Sequence, residues 1–149
     1  MLHDYLKRYV LTLVRRYRTN DPYELCDYLG IQVWKKPLPS SVRGMYIRAL
    51  RRRYIVINAE IHWQWQRFVC AHELGHDRLH RDIRGCHIDD IDSIRSGKME
   101  FEANTFAAYL LLGKNNENNV PIDVILHTIY TRNTGPLAHV VRDRTGEYA

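Results

Sequence analysis

An H-E-x-x-H run occurs once in the sequence, as His72-Glu73-Leu74-Gly75-His76. On an α-helix His72 and His76 lie one turn apart on the same face, so both imidazoles can reach one metal ion, while Glu73 is rotated away by about 100°. That offset leaves Glu73 facing a water held by the metal rather than the metal itself. Zinc bound by two neutral histidines and a third protein ligand keeps a coordination position for water and lowers the pKa of that water towards neutrality. Glu73 is then the general base, and Zn2+ is the expected cofactor.

The setting supports this chemistry. From Glu60 to His80, the residues Ile61, Trp65, Phe68, His72, His76 and Leu79 recur at steps of three or four, which predicts a helix with both histidines on its buried stripe. Imidazoles buried without partners are costly, and a metal supplies one. The alternative is a pair of hydrogen-bonded core histidines with Glu73 facing solvent.

The third ligand must come from later in the chain. His80 stands two turns from His72, roughly 12 Å along the helix axis, too far to converge with both histidines, and is expected to pack or to support the site. Glu102 is better placed, because Glu102, Thr105, Phe106, Tyr109 and Leu112 form one helical stripe, and a carboxylate on a core face needs a partner. Glu100 points to a different side of that helix. It remains an alternative, with Cys86, His87, Asp89, Asp90 and Asp92 of the intervening polar stretch.

These residues need elements to position them. Leu2, Leu6, Tyr9, Val10, Leu13, Val14 and Tyr17 predict an amphipathic first helix. In TNDPYELCDYLG, Asp21 can cap a short second helix, Pro22 suits its first position, Glu24 completes a capping-box pattern and Gly30 can end it. IQVWKK reads as extended and KPLPSSVRG as a loop. MYIRAL and YIVIN are β-rich runs joined across Arg51, Arg52 and Arg53 as a hairpin. After the motif helix, residues 81–98 read as a polar connection. MEFEANTFAAYLLL is apolar around most of its circumference and predicts a buried helix. GKNNENN reads as a loop, PIDVILHTIY as either helix or strand, and the remainder shows weak periodicity. The pattern is that of an α+β protein, a small sheet packed with helices that include the motif helix.

Composition narrows the classes. With 149 residues, 45% hydrophobic and 26% charged, the chain fits one domain over 1–149 that buries a core without staples, and disorder is excluded. The N-terminal segment has charges every few residues and lacks the unbroken apolar run of a signal peptide or membrane span. A cytoplasmic location without membrane association is therefore expected. Cys26, Cys70 and Cys86 are odd in number and lack CxxC spacing, which disfavours a disulfide framework or thiolate zinc ribbon. A net charge of +5 is weak evidence for nucleic acid.

The DPYELCDYLGI stretch, the GMY…YIVIN region, HELGHDRLH and EFEANTFAAYLLL, spanning residues 19 to 112, together resemble the ImmA/IrrE family of bacterial and phage-associated metallopeptidases. The resemblance implies a zincin-like single domain and a two-His, one-Glu zinc site carried here by His72, His76 and Glu102, with Glu73 catalytic. It implies that Asn104 supports the site without touching zinc. It also implies a protein substrate, a helix-turn-helix transcriptional repressor of a mobile element or stress response. Segment 113–149 departs from the family pattern, running LLLGKNNENN where members often place a proline. No helix-turn-helix domain precedes the family-like region, so direct nucleic-acid binding is not expected.

The predicted reaction is peptide-bond hydrolysis by activated water. Tyr109, His80 and arginines of the polar stretch are candidates for the further donor that the developing oxyanion needs. An extended substrate is expected to pair with an exposed strand in MYIRAL or YIVIN. The competing readings are a non-catalytic regulatory module that keeps the zinc fold but binds a repressor or nucleic acid, and a hydrolase acting on a small molecule.

Overall fold

In the computed structural model, which describes residues 2–80, 85–90 and 97–112, the elements run α1 (Leu2–Tyr17), α2 (Pro22–Tyr28), β1 (Gln32–Lys36), β2 (Val42–Ala49), β3 (Arg52–Asn58), α3 (Trp63–Leu79), β4 (Gly85–Asp90) and α4 (Gly97–Leu112). The α+β class is as the sequence predicts. Segment 113–149 and Asp92 lie outside the described residues.

Local chemistry accounts for the helix ends. The Asp21 carboxylate accepts from the Tyr23 amide at 2.9 Å, Pro22 occupies the first turn, and Gly30 leaves α2 at φ +74°, where a side chain would be strained. His62 caps α3, its ring Nδ1 accepting from the Gln64 amide at 3.2 Å. The turn between β2 and β3 is made by Leu50 and Arg51, both in the left-handed region at φ 50° and 66°. Arg52 and Arg53, read in sequence as part of that turn, belong to β3.

The four strands form one sheet in the order β1-β3-β2-β4. β3 pairs parallel with β1 and antiparallel with β2, in a register that opposes Met45 to Val56. β2 also pairs antiparallel with β4, with a shift between Val42 and Gly44. Two expectations are corrected here. The polar stretch after α3 contains a strand, β4, hidden because Gly and Asp depress β-propensity in GCHIDD. MYIRAL and YIVIN lie in β2 and β3, the two interior strands, so neither offers an open edge to a substrate. Among the described residues the edges are β1 and β4.

Helix α3 runs between the sheet and α4. All ten residues from Phe68 to Asp77 are buried, so it is a central helix rather than the one-sided helix its periodicity predicts. On the sheet side Gly44 makes the approach possible: a Cβ there would fall 2.5 Å from Val69 Cγ1 and 3.1 Å from the Val56 carbonyl. The core joins Val10 and Leu13 of α1, Leu25 and Cys26 of α2, Ile55 and Ile57 of β3, Val69 and Leu74 of α3, and Phe106 and Leu110 of α4. Helix α1 packs on α4, where the Tyr9 and Phe106 rings lie 6.3 Å apart. Among the described residues no helix is long and apolar enough to cross a membrane.

Candidate metal centre

His72 and His76 both point from α3 towards the first turns of α4. Their Nε2 atoms are 3.1 Å apart. The Glu100 carboxylate closes the triangle, with one oxygen 3.3 Å from His72 Nε2 and the other 2.9 Å from His76 Nε2. One ligand atom from each of the three residues lies within 4.8 Å of the others. Tetrahedral zinc with bonds of about 2.0–2.1 Å separates its ligands by about 3.3 Å, so this donor spacing fits such an ion within a few tenths of an ångström.

The hydrogen bonds behind the triangle fix the direction of its lone pairs. His72 Nδ1 lies 2.7 Å from Asn104 Oδ1 and donates to it, which leaves Nε2 as a bare acceptor. His76 Nδ1 lies 2.9 Å from His80 Nδ1. Two imidazole lone pairs and a carboxylate thus converge on one point, an arrangement that a cation stabilises and neutral surroundings do not.

Glu102, assigned from sequence as the third ligand, sits beside the triangle. Its Oε2 lies 3.3 Å from His80 Nε2. Glu100, kept from sequence only as an alternative, is the carboxylate brought to the two histidines. Glu73 is completely buried in the same stretch of α3. Asn104 occupies the supporting place that the family resemblance implies. Tyr109 packs against the core. Cys86, His87, Asp89 and Asp90 contribute backbone to β4.

Gly75 sets how closely α3 and α4 approach. A Cβ at this position would lie 3.0 Å from Phe106 Cδ1 and 3.3 Å from the Ala103 Cα. Gly75→Val is therefore expected to cost about 2–3 kcal/mol by overpacking and to push the Glu100-bearing helix from the histidines. Urea denaturation read together with metal content checks this; unchanged stability and metal would show that the helix pair tolerates the side chain.

Asp77, directly after the motif, faces the sheet instead. Its carboxylate accepts the Tyr46 hydroxyl at 2.5 Å, Arg53 NH1 at 2.9 Å and Arg78 NH2 at 2.8 Å. Arg53 reaches on to the Leu29 carbonyl at the end of α2. Burial alone would raise the Asp77 pKa; the Tyr46 and Arg78 hydrogen bonds and the two guanidinium charges hold it below normal. Burial, and then the bond to Asp77, push the Tyr46 hydroxyl pKa up. Periodicity gave no signal for this network, since an aspartate after HELGH reads as a surface residue until Tyr46 and Arg53 are seen opposite it.

Comparison with known proteins agrees with the geometry. Residues 26–118 match the family described as the IrrE N-terminal-like domain, a peptidase family. The chain is 39% identical over 107 residues to an uncharacterized immunity region protein 2 of Bacillus phage phi105, covering 72% of this chain and 68% of that protein. It is 32% identical over 109 residues to the metallopeptidase ImmA of Bacillus subtilis strain 168, covering 72% of this chain and 63% of that protein, so it spans less than two thirds of that relative's length.

Proposed function

Since the chain belongs to the ImmA/IrrE metallopeptidase family, we propose that it is a zinc endopeptidase whose metal is held by His72, His76 and Glu100, and whose substrate is a helix-turn-helix repressor. The observation that carries the ligand set is the triangle of Nε2, Nε2 and carboxylate oxygens at 2.9–3.3 Å. Glu100 replaces Glu102 in this proposal because Glu102 is engaged by His80.

Zinc at this site supplies Lewis-acid activation of water and of the scissile carbonyl. Asn104 holds the His72 ring so that its lone pair faces the site. Glu73, one residue on from His72, accepts the proton of the attacking water and returns it to the leaving amine. No covalent bond to the enzyme forms. An extended substrate segment lies along a sheet edge. β1 is guarded by exposed Lys35 and Lys36 and followed by Pro37, features that discourage pairing, which leaves β4 as the other edge among the described residues. The repressor assignment rests on the family resemblance and on the immunity-region name of the phage relative.

Elemental mass spectrometry of purified protein tests the ligand set. About one zinc per chain is expected in wild type and Glu102→Ala, and almost none in His72→Ala and Glu100→Ala. Retention by Glu100→Ala with loss in Glu102→Ala would reverse the assignment, and a wild type that takes no zinc would sink the metal site. Incubation with a purified helix-turn-helix repressor, read by mass spectrometry of the fragments, tests the substrate.

A further inference from the structure

We propose that Glu102 and His80 form a two-step relay that fixes the tautomer and ring orientation of His76, so that Glu102 is a positioning residue. The inference rests on the reading of His76 as a metal ligand. A carboxylate oxygen of Glu102 lies 3.3 Å from His80 Nε2 and is the acceptor of that contact, so His80 carries its proton on Nε2 and keeps a lone pair on Nδ1. That lone pair lies 2.9 Å from His76 Nδ1, which must then be the donor. His76 Nε2 is left bare, and it is this atom that faces Glu100 at 2.9 Å and His72 Nε2 at 3.1 Å.

The backbone explains how His80 can serve. It is the C-cap of α3, one turn beyond His76, and leaves helical geometry at φ −122° and ψ 49° while its amide still bonds the His76 carbonyl at 2.9 Å. Its ring stands over the preceding turn, 5.0 Å from the His76 ring, and its other nitrogen turns to α4. Glu102 follows Glu100 by two positions on α4, so one helix supplies the ligand carboxylate and the other end of the relay. The two histidines are thus held differently, His72 by a side-chain amide and His76 by a chain ending in a carboxyl group. Such an outer partner raises the ligand strength of an imidazole as well as fixing its orientation.

Two measurements test this. Long-range 15N–1H correlation spectra of the imidazoles in metal-free protein should show His76 protonated at Nδ1 and His80 at Nε2, and Glu102→Ala should scramble both. In zinc competition against a chromophoric chelator, His80→Ala and Glu102→Ala should each weaken binding by about 10- to 100-fold, with the double variant no weaker than either single one. Loss of zinc in Glu102→Ala as complete as in Glu100→Ala would make Glu102 a ligand and overturn the relay. Additive losses in the double variant, or unchanged tautomers, would also overturn it. A wild type that takes no zinc defeats the metal-site reading, and the tautomer spectra still decide the relay.

Discussion

Glu73→Gln is expected to slow substrate cleavage by about 10²- to 10⁴-fold while leaving bound zinc at the wild-type level. Glutamine keeps the size of a side chain that is completely buried in α3, so the helix has no reason to repack. Glu73 stands outside the triangle of His72, His76 and Glu100, so the donor set is untouched. What is lost is the capacity to take a proton. Single-turnover cleavage of the proposed repressor substrate, paired with metal analysis of the same sample, checks both halves of the expectation. Full biological activity in this variant, with zinc retained, would instead make the protein a binding module that keeps a metallopeptidase fold.

Asp77→Ala is expected to have the largest effect on stability, about 3–5 kcal/mol. Asp77 is 3% exposed and receives Tyr46 from β2, Arg53 from β3 and Arg78 from its own helix, with Arg53 continuing to the end of α2. Removing the carboxylate leaves two guanidinium groups and a hydroxyl facing a small apolar group. The cost is that of stranded charge, which exceeds the loss of any one hydrogen bond. Chemical denaturation of the zinc-loaded and metal-free protein measures it; a loss below about 1 kcal/mol would mean that water replaces the carboxylate at no penalty.

Much of this arrangement was legible in the sequence, and the part that was not has a definite physical cause. The caps of α2, the β2–β3 hairpin and the motif helix follow from local signals such as Asp21-Pro22, Gly30 and the HELGH spacing. Which carboxylate stands against the two histidines did not follow. Glu100 and Glu102 are both at the start of a helix whose residues from Ala103 to Ala108 are all buried. A helix apolar all round carries no periodic mark of which side faces what. Its rotation is set by Phe106 packing into the space left by Gly75, a contact between positions 31 residues apart. The stripe containing Glu102 was real as a pattern, yet the rotation delivered Glu100 to the histidines and Glu102 to His80. β4 was missed for a related reason: its partner β2 and not its own composition makes it a strand.

A peptidase is a hazard to its own unfolded copies. Here the donors are split, two on α3 and one on α4, and the pair is held together by the seam at Gly75 and Phe106. If these donors hold the proposed metal, separation of α4 would remove one of its three ligands even with the HELGH helix intact, so an opening of this seam would abolish the proposed site. On that reading a copy whose two helices part would lose its cutting centre along with its fold, and the architecture itself would restrain autolysis.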